Sequence, residues 1–296
     1  MSGPLALGID VGGTKVALGL VGADGTLAAF ERVEHGDVAR VELLAWVAAR
    51  AAAFAATAGA VAAVGVVVPE VVDPSGELRS ATTVAWRRAE VVAALEGIAP
   101  VALGNDVEAA AYAEARFGAG RGHRSVGFVT VGTGISSSLV LDGEPWAGAH
   151  GAAQLLGSAP LSIGCPRCGE RVRVCLEEVA AGPALVARSG GAAPSAEELF
   201  ALAAAGDADA AAHLEATAEV LGSFLALFVN IVDPEILVLG GGIGTAGGAF
   251  LDAVVVSTRA HVWAEHVRGI DIVPAVLGPR AQVVGAGVRA LRSMAA

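Results

Sequence analysis

The chain has 296 residues, 54% hydrophobic and 17% charged, enough apolar content for one or two buried cores and too much for disorder. Nineteen Lys and Arg against 30 Asp and Glu give a formal net charge of -11, which disfavours a nucleic-acid partner or an anionic membrane surface, both of which need a basic face. The longest apolar runs, 61–72 and 201–212, are broken by Pro69 and Glu70 or by Gly206, Asp207 and Asp209, short of the about 20 residues a membrane span needs.

The N-terminus lacks a basic leader and enters an apolar strand almost at once, so a cytoplasmic setting is expected. From Leu5 the chain reads strand, Gly12-Gly13-Thr14 turn, strand, then Asp24-Gly25. Residues 38–57 are Ala-rich and helical, 61–68 a buried strand, and Asp73-Pro74-Ser75-Gly76 a turn. A helix over 107–117 follows Gly104-Asn105-Asp106, whose Asn or Asp can cap it, and 118–124 is a junction. The opening pattern then returns: Ser125 begins a strand, Gly132-Thr133-Gly134 turns it, and Asp142-Gly143 closes it. Thr14 to Thr133 is 119 positions and Asp24 to Asp142 is 118, so the copies are nearly in register.

Helices are expected over 195–205 and 208–232, the second ending before Asp233-Pro234, and a short strand over 236–239 feeds Gly240-Gly241-Gly242. A last helix covers about 285–294. Strands interleaved with helices in two similar halves predict an α/β protein with lobes at 1–117 and 118–284, a cleft between them, and the final helix packing back on the first lobe.

A glycine turn frees backbone N–H groups to face an anion, and two such turns can clamp a polyphosphate. One copy alone is more often a plain hairpin, and 40 glycines make chance matches easy. The set carries more weight: Asp10 before Gly12-Gly13-Thr14-Lys15, then Gly132-Thr133-Gly134, then Gly240-Gly241-Gly242. Asp10 beside a phosphate loop is a candidate to hold magnesium, directly or through water.

The series Asp10-x-Gly-Gly-Thr-Lys15, Gly104-Asn-Asp106-x-x-Ala-Ala110, Gly132-Thr-Gly-Ile135, Gly148-x-x-Gly151, a Cys-rich segment with Leu176-Glu177, and Leu239-Gly-Gly-Gly242 resembles the ROK family of bacterial sugar kinases, repressors and open-reading-frame proteins. The resemblance spans essentially the whole chain and implies the two-lobed actin-like ATPase (ribonuclease H-like) fold, with ATP and a sugar in the interdomain cleft. It implies that Gly12, Gly13, Thr14 and Lys15 form the first phosphate loop, Gly132, Thr133 and Gly134 the second, and Gly240, Gly241 and Gly242 the adenosine-side wall. Asp106 matches the catalytic base, which takes a sugar hydroxyl's proton as it attacks the γ-phosphoryl group. Asn105-Asp106 also suits a helix cap, and the two roles are compatible, with Asn105 as a sugar-hydroxyl ligand.

Departures gather in the expected sugar pocket. The family's sugar-binding Glu and zinc-binding His are replaced by Leu155 and Ser158 in Gly151-Ala-Ala-Gln154-Leu155-Leu156-Gly157-Ser158. A Pro-Asn pair is replaced by Thr82-Thr83 ahead of Trp86, and Pro-Gly by Pro69-Glu70. Glu177 remains, and His150 or Trp146 could supply a missing contact. Either the pocket takes a different polyol, such as a modified sugar or cyclitol, or the protein binds without turnover; retention of Asp10, Lys15, Asn105, Asp106 and Glu177 favours the first.

Cys165, Cys168 and Cys175, in the loop 158–178, are spaced for a structural zinc clip with one further donor or are buried free thiols. His123, His213, His261 and His266 show no metal spacing, and Trp86 and Trp263 suit core or interface. A DNA-binding regulator would need a helix-turn-helix ahead of the first strand, where the chain has no room for one. The resemblance implies a homodimer or homotetramer.

Overall fold

The computed structural model describes residues 3–36, 38–39, 41–153, 155–164 and 166–295. Its elements begin β1 (Leu5–Val11), β2 (Lys15–Gly22), β3 (Leu27–Glu34), α1 (Leu43–Ala55), β4 (Ala63–Val68), α2 (Arg88–Leu95), β5 (Val101–Asn105), α3 (Asp106–Phe117), β6 (Ser125–Val131), β7 (Ile135–Leu141) and β8 (Glu144–Pro145). They continue β9 (Leu161–Gly164), β10 (Arg171–Val174), α4 (Glu177–Ala180), α5 (Gly182–Arg188), α6 (Ala196–Ala204), α7 (Ala208–Val232), β11 (Ile236–Gly240), α8 (Gly241–Gly244), α9 (Gly248–His261), β12 (Asp271–Pro274) and α10 (Ala281–Ala295). They form two compact units, one of Met1–Gly122, Gly143–Ala153 and Leu277–Ala296, the other of His123–Asp142 and Gln154–Val276.

The first unit is a sheet of order β3-β2-β1-β4-β5, in which β1 pairs antiparallel with β2 and parallel with β4, and β4 parallel with β5. Side chains alternate across it, as the two-residue period of a strand requires. Leu7, Ile9 and Val11 of β1 join Val64, Val66 and Val68 of β4 in a core under α1 and α2, with Val47, Val91 and Leu95. The opposite face carries Ala6, Gly8, Ala63 and Gly65, and there α10 lies almost on the strands: a Cβ at Gly8 would stand 2.1 Å from the Val283 carbonyl oxygen, and one at Gly65 2.1 Å from that of Ala286. Gly8 and Gly65 therefore serve helix-to-sheet contact.

The second unit repeats the plan. β6 pairs antiparallel with β7 and parallel with β11, and β11 parallel with β12. In the first hairpin Val11 faces Val16 across four turn residues; in the second Val131 faces Ile135 across three. The 25-residue α7 is long and apolar enough to cross a membrane, but half of its most apolar window is buried, and Leu214, Leu221, Leu225 and Phe228 pack in the unit's core.

Residues 143–153, expected in the second lobe, belong with the first unit because they lie on its Val71–Asp73 loop: a Cβ at Gly151 would meet the Val72 carbonyl oxygen at 2.1 Å. Residues 118–122 are held there too, by Glu114, which is fully buried and accepts from the Ala119 N–H at 2.9 Å. The same carboxylate accepts from the Leu277 N–H at 2.7 Å, where the chain re-enters this unit. α10 starts at Ala281, four residues before the expected helix.

Candidate active site

In the first unit the parallel strands set the chemistry. Asp10 of β1 lies in register with Val67 of β4, and Val67 with Gly104 of β5, so Asp10 and the β5–α3 junction share the carboxyl end of one sheet. Asn105 caps α3: its Oδ1 accepts from the Val107 N–H at 2.9 Å and the Glu108 N–H at 3.0 Å, while its amide donates to the Glu70 carbonyl at 3.0 Å. That capping leaves Asp106 at the helix start with one carboxylate oxygen on its own Val107 N–H at 2.8 Å.

Burial pushes the Asp106 carboxyl up to about 6, against the Val107 N–H that favours its charged form and with the Glu70 charge adding to the rise. Asp10 is pushed up to about 7, chiefly by burial and next by the charge of Asp106, with Arg32 opposing. The two carboxylates are therefore near enough to repel. A divalent cation held by Asp10 through water would relieve that repulsion, so this carboxylate fits a magnesium ion.

Beside them, the Gly12 N–H donates to the Lys15 carbonyl at 2.9 Å, closing the first turn. Gly13 faces Thr83: a Cβ there would stand 3.6 Å from the Thr83 methyl. The Thr14 carbonyl accepts from the His35 N–H at 3.1 Å. Lys15 instead points outward, pairing with Glu34 at 3.1 Å on the next strand. His150 is also apart from this group, lining a cavity of about 700 Å³ with Val71, Asp73 and Arg79.

Two residues the sequence reading passed over hold this arrangement. His35, 9% exposed, donates from Nε2 to the Gly12 carbonyl at 3.2 Å, and its Nδ1 has no hydrogen-bond partner among the described residues. Glu70, 1% exposed, accepts from the Ser80 and Thr82 hydroxyls and from the N–H groups of Thr82 (3.0 Å), Thr83 (2.5 Å) and Val84 (2.9 Å). Burial works to raise its pKa, and those donors together outweigh it, keeping the carboxyl below its ordinary value. Pro69-Glu70 in place of Pro-Gly was the only signal of Glu70 in the sequence; His35 had none.

In the second unit the two glycine segments meet. A Cβ at Gly132 would lie 3.8 Å from the Gly242 nitrogen, the Gly132 N–H closes its turn on the Gly134 carbonyl at 2.9 Å, and Gly241 has φ +78. Thr133 sits within this turn and Gly240 ends β11. Glu177 starts α4 and accepts from the Ile135 N–H at 2.8 Å and the Ser158 hydroxyl at 3.1 Å. Ser158 is thus the carboxylate's donor, whereas Leu155 is 43% exposed and takes no part in that bond.

Among the described residues Cys168 and Cys175 are free thiols. Cys165 and Gln154 lie outside the described residues, Cys168 is exposed, and Cys175 is buried with its thiol donating to the Gly157 carbonyl at 3.1 Å. Among the described residues no three His, Cys, Asp or Glu side chains are grouped to hold a metal, and the zinc clip set beside free thiols includes Cys165, which lies outside them.

A profile of the ROK family matches residues 6–292. Glucokinase of Streptomyces coelicolor is 29% identical, over 95% of this chain and 96% of its own length, and kanosamine kinase of Amycolatopsis mediterranei is 30% identical over 97% and 96%. A crystal structure of a ROK family glucokinase from Streptomyces griseus, in complex with glucose and AMPPNP, superposes with a TM-score of 0.82 at 29% identity, covering 97% of this chain and 99% of that one. The fold is the actin-like ATPase fold that the family resemblance implies. Matched by the profile and by these relatives over nearly its entire length, the chain belongs to the ROK family.

Proposed function

We propose that this protein is an ATP-dependent kinase that phosphorylates a hydroxyl of a sugar, with Asp106 as the general base. The observation that carries the reading is the pair of carboxylates at one sheet end, Asp10 and Asp106, both raised, with Asp10 leading into the tight Gly12–Lys15 turn. Asp106 takes the acceptor's proton, and Asn105 keeps one amide hydrogen for a hydroxyl after capping the helix. Asp10 would hold the nucleotide's magnesium ion through water, and that ion neutralises charge developing on the phosphoryl oxygens. The amides of the glycine turns in each unit would bind phosphate.

The acceptor differs from glucose in this reading. Leu155 offers no hydrogen bond, and Glu177 is already engaged by Ser158 and Ile135, so hydroxyl recognition is reduced on this side. A site loses about 1–3 kcal/mol for each buried hydrogen bond it cannot make. A modified sugar, such as an amino sugar, or a cyclitol is the favoured class.

The test is ADP release across hexoses, amino sugars, N-acetylated sugars and cyclitols, with Asp106→Asn alongside. The variant is expected to lose about 10²–10⁴-fold in kcat. In the parent enzyme kcat should climb as pH passes about 6 and level off above it, because only the ionised carboxylate accepts the proton. Full turnover by Asp106→Asn would remove Asp106 as base, and ATP binding without turnover of any acceptor would make the protein a sensor.

A further inference from the structure

Glu70 is buried, charged and fully engaged, yet it belongs to neither the phosphate turns nor the reacting groups. Five hydrogen bonds from Ser80, Thr82, Thr83 and Val84 converge on its two oxygens, so the loop ahead of Trp86 is wrapped around one carboxylate. Its main-chain carbonyl takes the amide of Asn105, the residue that caps α3 and precedes Asp106. The Ser80 hydroxyl also accepts from the Val71 N–H at 3.0 Å, which ties the far side of the loop to the residue after Glu70. Thr83, at the tip, faces Gly13 of the first glycine turn.

We propose that Glu70 is a positioning residue for the acceptor side of this kinase: its side chain fixes the Ser80–Val84 loop and its backbone carbonyl fixes Asn105, so that the loop and the Asn105–Asp106 helix start move as one piece. The proposal rests on the kinase reading for its effect on turnover, but not for the coupling itself. A buried carboxylate with five donors is a rigid hub, since loosening any one leaves a charge unsatisfied. Its charge also acts on Asp106 directly, adding to the rise in that carboxyl. Gln at position 70 keeps the shape but replaces one accepting oxygen with a donor that faces either the Thr83 and Val84 N–H groups or the Thr82 N–H with the Ser80 and Thr82 hydroxyls.

Two measurements on Glu70→Gln and the milder Thr82→Val decide it. In steady-state kinetics, Glu70→Gln should raise the KM of the accepted sugar about tenfold while the KM of ATP stays within about twofold, and Thr82→Val should do the same more weakly. In amide exchange, the segments 80–84 and 105–108 should both exchange faster in Glu70→Gln, with 5–11 unchanged. Equal rises in both KM values, or an unchanged sugar KM with a lowered melting temperature, would reduce Glu70 to a stability role. Faster exchange at 80–84 with none at 105–108 would break the coupling. If the parent enzyme turns over no acceptor, the kinase reading fails, and the exchange data still decide the coupling in either direction.

Discussion

At the residue scale, several side chains carry more than their types suggest. Asn105 serves both as helix cap for α3 and as tether to the Glu70 carbonyl. His35 joins two residues of the first glycine turn, through Nε2 to Gly12 and through its own N–H to Thr14, and its ring packs edge-on to Trp46 with centroids 6.4 Å apart. Phe at position 35 would keep the packing and lose the bond. His35→Phe is expected to cost about 1 kcal/mol of stability and to raise the KM of ATP severalfold, with the sugar KM little changed. Kinetics with each substrate varied in turn checks this, and an unaltered ATP KM would make the ring a packing group only.

At the scale of elements, α10 packs backbone to backbone against the first sheet and α3. Gly8 and Gly65 on the strands meet the backbone of α10, and a Cβ on Gly285 of that helix would lie 2.0 Å from the Ala109 carbonyl oxygen of α3. Backbone cannot yield as a flexible side chain can, so a methyl group there has to displace the helix. Gly65→Ala is expected to destabilise the protein by about 1–3 kcal/mol or more, read from chemical denaturation. Gly36→Ala, where a Cβ meets nothing within 4 Å, is not a clean control because its φ is +55. Gly97→Ala is one, with open space and no such angle, and it should be close to neutral. Equal losses at 65 and 97 would mean that the helix contact is not what limits stability.

At the scale of the whole molecule, the raised carboxyls link function to stability. Folding holds Asp10 and Asp106 at about 7 and about 6, both above the ordinary 3.8, so folding favours their protonated forms. Their contribution is complete below about pH 4 and is lost as pH rises through 6 and 7. Asp10→Asn should therefore melt higher than the parent at pH 8, with the gap closing towards pH 5. Melting curves at the two pH values test it, and a gap that does not change with pH would show that the carboxyl is not strained by folding. The same substitution is expected to lower turnover, the usual exchange between a strained site and its activity.

The strand-turn-strand repeat, the helix over 208–232 and the capped helix after Asn105 were legible in the sequence because each rests on local physics: side-chain alternation, a proline stop and an Asx cap. Asp10 and Asp106 were legible as chemistry for the same reason, since a carboxylate beside a glycine turn or at a helix start is a local pattern. Their mutual repulsion was not, because it depends on the register Asp10–Val67–Gly104 across three strands. Glu70 looked like an oddity after Pro69, and only the packed loop supplied the five donors that make it stable. Lys15 read as part of a phosphate turn, yet the pairing of β2 with β3 sets Glu34 opposite it. The sequence alone determined which elements form and which residue types can do chemistry; the tertiary structure decided which buried charges find partners and which are left to react. Burial energies and hydrogen-bond partners depend on residues far apart in the chain, and only folding brings those together.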